Sequence, residues 1–389
     1  MLTNKVSKLF VLTVLLSSFL SLLKFNYCRA TNWASPGNYV HACYTDIPAL
    51  FSERDLDTNI FPYQSAFNSM EYPPIIGLGN WLISFITPTE NSHRWFFDIN
   101  AVIIIFLFLI SALIVRRIKP EYSYLYPVAP AVAASLFINW DLWATVSALA
   151  AIYYFDKKKY EASSIWLGIS IATKFFPIVF LLPIAIIFYK RNKIKEFYLY
   201  LFRTVLITLA FNLPLAIVYF DGWWRFFKLN LNRSDDFGSI WYALNLLGFK
   251  IPGINYLYTT LTVALFIALA IFLFKLRTTP NLAQVAFFAV AIFTTTSKVY
   301  SPQYVLWLTP LAVIALTKSN QQISFWFWQA TEITYHLGVW QYLAGYTGAS
   351  FGLPSGAYAI ASILRVVGLL TFTYFLLREI SVRSTVKSG

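Results

Sequence analysis

Residues 101–119 read AVIIIFLFLISALIVRRIK, a run of apolar and small side chains that ends abruptly in Arg116, Arg117 and Lys119. A helix needs about 20 predominantly apolar residues to cross the ~30 Å hydrocarbon layer of a bilayer. Cations directly after the run mark its exit into the headgroups. Counted as 99–115, this run is one of twelve; the others are 8–24, 122–138, 141–155, 162–174, 176–189, 198–220, 254–274, 282–297, 303–317, 322–340 and 357–377. The 389 residues are 58% hydrophobic, 19% aromatic and 12% charged, with a mean hydropathy of +0.60. Soluble proteins average roughly 25% charged residues. The expectation is an all-α polytopic membrane protein, one integral membrane domain over 1–389 with about twelve transmembrane helices and no large soluble domain.

Some runs, such as 162–174 and 303–317, are short for a bilayer and are expected to lie obliquely or to borrow flanking aromatics. The segment PPIIGLGNWLISFI at 73–86 opens on two prolines and reads as a re-entrant or interfacial helix, because counting it as a span inverts every later loop. Lys5 and Lys8 before the first run also describe a secretory signal. No clear A-x-A site follows, so the run is expected to stay as an anchor and become the first span.

Alternate loops are basic. With both termini inside, the inner face collects Lys5, Lys8, Arg116, Arg117, Lys119, Lys157 to Lys159, Lys190, Arg191, Lys193, Lys195, Lys275, Arg277, Lys318, Arg378, Arg383 and Lys387, which is 18 of 30 Lys and Arg. Cytoplasmic loops of membrane proteins carry such an excess. The formal charge of +13 is thereby a topology signal, and nucleic-acid binding is not needed to explain it. The expected location is the plasma membrane.

Two long loops then face outward, 25–97 and 221–253. The first contains CYTDIPALFSERDLDTNIFPY at 43–63, with Asp46, Glu53, Asp55 and Asp57 in a chain holding only 17 Asp and Glu. The second mixes aromatics and cations, as suits a helix lying along headgroups. Four further outer patches sit at span ends: Glu71 in EYPPI, Asp141 in NWDLW, Lys174 in ATKFFP and Lys298 in SKVYSPQY. Ionisable groups near membrane depth are costly and point to function; alternatively each snorkels to the headgroups or caps a helix end.

Other chemistries lack their residues. The chain has no phosphate-loop motif, no H-E-x-x-H and no cysteine pairs at zinc spacing. Cys28 and Cys43 allow at most one outer-face bridge. Asp46, Glu53 and Asp55 offer hard oxygen ligands in principle. His41, five residues before Asp46, is either a site residue or a structural one. His336 shares a helical face with Glu332 and is a candidate to line a cavity. Outer tryptophans suit an interfacial belt, Trp140 being the exception and a candidate stacking surface for a ligand.

The strings CYTDIPALFSERDLDTNIFPY, EYPPIIGLGNWL, NWDLWA, ATKFFP and KVYSPQYVLWL, in this order and spacing, resemble the actinobacterial membrane glycosyltransferases of family 87, which use polyprenyl-phosphate mannose as donor. The resemblance runs from about residue 40 to about residue 315; beyond it only hydropathy matches. It implies the C-type membrane glycosyltransferase architecture with a catalytic first outer loop, and Asp46 as the catalytic carboxylate. Lys174 and Lys298 are then expected at the donor phosphate. Glu53, Arg54, Glu71, Tyr72, Asn139, Asp141, Gln303 and His336 complete the expected substrate-binding set. The implied partners are a polyprenyl-phosphate sugar donor, a glycolipid or glycan acceptor and membrane lipids. The resemblance is to enzymes with a lipid-monophosphate donor, and it implies no metal or other cofactor. The implied reaction is inverting transfer of mannose to a hydroxyl, giving an α-mannoside.

Residue chemistry agrees with that implication. Taking the hydroxyl proton needs a base such as a carboxylate, and the departing phosphate needs cations or donors where negative charge gathers. A secondary transporter or flippase is the alternative, since twelve spans and a lysine beside a proline also suit a broken transporter helix. Against it, no convincing internal repeat is visible and the polar groups gather at one face.

Overall fold

The computed structural model describes residues 8–386. Lys5 and Lys387, counted above among the inner cations, lie outside the described residues, as does the side chain of Arg383. Among the described residues there are nineteen α-helices and three short 3₁₀ turns, with no strand. Lipid explains this economy: with no water to satisfy backbone N–H and C=O groups, each spanning segment must bond its own backbone.

Four helices are long and apolar enough to cross a membrane alone: Ser92–Ile118, Ile194–Val218, Ile254–Lys275 and Ser355–Val382. The chain is a polytopic all-α membrane protein. Other apolar runs are divided, and proline divides them. Run 122–138 becomes Leu125–Val128 and Pro130–Ser135, because Ala129 before Pro130 takes an extended backbone (φ −64°, ψ 117°). Run 176–189 begins as the 3₁₀ turn Phe176–Phe180 before Leu181–Lys190, and run 303–317 begins as Pro302–Tyr304 before Val305–Ala315. The 73–86 segment forms the 11-residue helix Pro74–Ser84, too short to span at 1.5 Å per residue.

Helices apolar on every face separate into two groups. Every residue of Val305–Ala315 is buried, and Leu282–Thr296 is nearly as enclosed; these form the centre. On Ile194–Val218 and Ile254–Lys275, by contrast, side chains such as Phe202, Ile217, Val263 and Ile267 are exposed. That is intolerable in water but costs nothing against acyl chains.

The basic helix ends converge on one face of the bundle. Arg116 lies over the Phe10 ring, Lys190 donates to the carbonyls of Leu273, Phe274 and Leu276, and Lys318 pairs with Glu379 at 2.8 Å. The opposite face carries both long loops. There Cys28 and Cys43 are bridged, tying the segment before Asp46 to the chain just beyond helix Lys8–Leu23. Helix Phe220–Asn232 packs tightly on the first loop: a Cβ at Gly222 would lie 2.0 Å from the Tyr63 carbonyl oxygen, so only glycine fits.

Candidate active site

Asp46 opens the helix Asp46–Glu53. Thr45 caps it, accepting from the Ile47 N–H at 3.1 Å while donating to the Ile138 carbonyl at 3.1 Å. The Asp46 N–H donates to the same carbonyl at 2.8 Å. One loop, 136–140, therefore holds the start of this helix and also supplies Asn139. Asn139 Nδ2 donates to Asp46 Oδ2 at 3.3 Å and lies 3.2 Å from the Tyr72 hydroxyl. That hydroxyl is 3.5 Å from Asp46 Oδ2.

These groups line a cavity of about 370 Å³ together with Tyr39, Tyr44, Glu71, Lys174, Arg233, Gln303, Tyr304 and Trp340. Burial is the main force on Asp46, pushing its pKa from 3.8 up to about 6; the Asn139 hydrogen bond and the Lys174 charge pull the other way. Burial first, and then the neighbouring carboxylate of Asp46, raise the Tyr44 and Tyr72 phenols. They stay neutral donors at physiological pH.

The expected site residues divide by position. Asp46, Glu71, Tyr72, Asn139, Lys174 and Gln303 line the cavity. Arg54 stands behind, fixing Glu71 at 2.6 Å, while Glu53 points into solvent with its side chain 60% exposed. Asp141 is fully buried at the start of its helix and backs Lys174 at 2.8 Å. The indole N–H of Trp307 also donates to Asp141. Lys174 additionally lies 5.1 Å from the Tyr72 ring centroid and 5.3 Å from that of Trp307.

Lys298 takes another place. Its ammonium donates to the carbonyls of Asn230, Leu231 and Arg233 and to Asn255 Oδ1, so it caps the helix Phe220–Asn232 and does not line the cavity. That end carries partial negative charge and attracts a cation. Arg233 at the same helix end lines the cavity instead, held by Asp236 at 2.9 Å. Its local signal in the sequence is its place in NRSDDFG at 232–238.

His336 also lies outside the cavity lining. It is buried, with Lys24 Nζ 3.3 Å from its Nε2; Trp340, one turn later on the same helix, reaches the cavity. Trp140 is fully buried and donates to Asn100 Oδ1 at 2.8 Å, which removes it as a stacking surface. His41 stacks on Tyr27 with ring centroids 3.6 Å apart. Aromatic surface at the cavity comes from Tyr39, Tyr44 and Trp340, where Tyr39 and Tyr44 stack at 5.2 Å.

Glu332 serves the site at one remove. It pairs with the fully buried Arg365 at 2.7 Å, and Arg365 donates to the carbonyls of Tyr300 and Ser301. This clamp fixes the loop that delivers Gln303. Gln303 Oε1 and Asn139 Oδ1 are buried and have no protein partner, which suits them to accept hydrogen bonds from hydroxyls. Among the described residues no group of three His, Cys, Asp or Glu is placed to hold a metal ion.

The cavity thus presents a raised-pKa carboxylate, two cations, unfilled amide acceptors and aromatic faces. No family model matches the chain. Among solved structures it is similar to the crystal structure of ArnT from Cupriavidus metallidurans bound to undecaprenyl phosphate, at a TM-score of 0.49 and 14% identity, covering 96% of this chain and 77% of that one.

Proposed function

We propose that this protein is a glycosyltransferase that moves a mannosyl residue from polyprenyl-phosphate mannose to a hydroxyl of a lipid-linked or cell-envelope glycan, with inversion. The observation that carries the reading is the placement of Asp46: a carboxylate with a pKa of about 6, in one cavity with Lys174 and Arg233. Such a base is ionised at neutral pH yet more basic than an ordinary aspartate, which suits proton removal from a hydroxyl.

In the proposed reaction the acceptor oxygen bonds to the anomeric carbon as its proton passes to Asp46. The bond from that carbon to the phosphate oxygen breaks, and the phosphate leaves with the electron pair. Lys174 and Arg233 stabilise the charge gathering there. Tyr72 and Asn139 orient the carboxylate, and Gln303 and the free oxygen of Asn139 accept from sugar hydroxyls. The mannosyl identity rests on the motif resemblance.

The test uses purified full-length protein in detergent, radiolabelled polyprenyl-phosphate mannose and a crude membrane acceptor fraction. Label should move from donor to an acid-stable glycan or glycolipid. Folded protein that leaves the donor untouched with every acceptor fraction overturns the reading. Labelled product in a system without a second compartment excludes pure transport.

A further inference from the structure

At the end of the bundle opposite the cavity, helices Gln321–Tyr346 and Ser355–Val386 leave a groove of about 700 Å³ between them. Its character changes along its length. Ile323, Phe327 and Phe375 form apolar walls, whereas Lys318, Gln321 and Arg378 stand at the polar end. Phe327 and Phe375 are 46% and 42% exposed, so the helices themselves do not fill the space.

Three independent features at the polar end favour an anion. Gln321 is 5% exposed and spends its Oε1 on the N–H groups of Thr317 and Lys318, at 2.8 and 3.1 Å. Its Nε2 is buried without a partner, an uncommon and costly state for a donor. Gln321 also begins a 26-residue helix, whose N-terminus carries partial positive charge. Arg378 is exposed, and the neighbouring Glu379 pairs with Lys318 at 2.8 Å; among the described residues the arginine forms no ion pair, so its charge stands at the groove.

We propose that this groove binds one anionic phospholipid, its phosphate between Arg378 and the Gln321 helix end and its acyl chains along Ile323, Phe327 and Phe375. A free phosphate ion has no use for the apolar walls, and a zwitterionic lipid gains less from the arginine. The site lies away from the sugar-transfer cavity and does not depend on that reading.

The test is native mass spectrometry of the full-length protein in detergent, titrated separately with phosphatidylglycerol and phosphatidylcholine of identical acyl chains. One phosphatidylglycerol should be retained with about fivefold preference, the weight of one interfacial arginine. Arg378→Gln and, separately, Lys318→Gln should lower its retention, Arg378→Lys should restore most of it, and Lys195→Gln, on another exposed stretch of the same face, should leave it unchanged. Equal retention of the two lipids, an undiminished preference in folded Arg378→Gln, or displacement of phosphatidylglycerol by excess inorganic phosphate would each overturn the proposal.

Discussion

Lys174 Nζ lies 2.8 Å from Asp141 Oδ1, with the lysine reaching the cavity wall and the aspartate fully enclosed behind it. The pair has a structural duty and a proposed chemical one, and paired substitutions separate them. Lys174→Met alone strands a buried carboxylate that keeps only neutral donors, the Trp307 indole and the Asn139 amide, so it should destabilise the protein by roughly 3–5 kcal/mol. Lys174→Met combined with Asp141→Asn should recover most of that stability, since replacing a buried pair by neutral groups is often near neutral. Turnover should stay more than about tenfold down in both, because the charge facing the phosphate is gone. Thermal melts with single-turnover assays check this, and a double variant that regains turnover removes Lys174 from the phosphate.

Arg233 and Lys298 should fail differently. Arg233 faces the cavity and is held by a partly exposed ion pair to Asp236, which contributes at most about 1 kcal/mol. Arg233→Gln should therefore weaken donor binding by about tenfold with little change in melting temperature. Lys298→Met should instead free the carbonyl end of helix Phe220–Asn232, lowering the melting temperature and exposing residues 228–236 to protease. If Lys298→Met lowers donor affinity in an otherwise unperturbed protein, the lysine reaches the phosphate after all.

These two residues also show what a sequence can convey. Apolar runs were legible because lipid forces each segment to satisfy its own backbone, and prolines 130, 177 and 302 marked where the runs break. The acidic stretch 43–63 was legible in an acid-poor chain, but only the motif resemblance singled out Asp46 within it; Glu71, Asn139 and Gln303, which line the same cavity, stood in the patches quoted with it. Lys298 looks equivalent to Lys174 in the sequence, each lying shortly before a proline. Its acceptors, however, lie 43 to 68 residues away, and no local pattern announces them. Trp140 is buried away from the cavity and Trp340 lines it for a similar reason: which aromatic meets the cavity is decided by packing between distant segments. Glu332 and Arg365 lie 33 residues apart, and the sequence alone, which sets Glu332 on one helical face with His336, gives no sign that they pair.

The arrangement of loops gives an expected labelling pattern. Cys28 and Cys43 are bridged, so a new cysteine is the only reactive thiol expected in the described chain. Ala66→Cys and Ser234→Cys lie at exposed positions of the cavity-side loops, and Lys157→Cys at an exposed position among the basic helix ends. A membrane-impermeant maleimide applied to intact cells should label the first two, and should label the third only after permeabilisation. The reverse pattern would turn the protein over and put the cavity in the cytoplasm.

Asp46 carries the heaviest expectation. A general base works only when ionised, so with a pKa of about 6 kcat/KM should rise with pH through 6 and level off above 7, falling about tenfold per pH unit well below 6. Asp46→Asn keeps the size and the Tyr72 and Asn139 contacts but removes the basicity. Turnover should fall by ~10²- to 10⁴-fold, and the pH dependence near 6 should vanish with it. Stability should move the other way. Because the folded state raises this pKa from 3.8 to about 6, it holds the proton more tightly than the unfolded chain; the resulting stabilisation is present at low pH and is lost as pH rises between those values. At pH 7 the Asn variant is relieved of a poorly solvated charge and should melt no lower than the parent, which separates lost chemistry from lost folding. Asp55→Asn and Asp57→Asn, away from the cavity lining, are the controls and should lose far less turnover. Retention of more than about a tenth of parental turnover by Asp46→Asn would remove it as the base and leave Glu71, another carboxylate lining the cavity and one not paired to Arg233 as Asp236 is, as the next to replace.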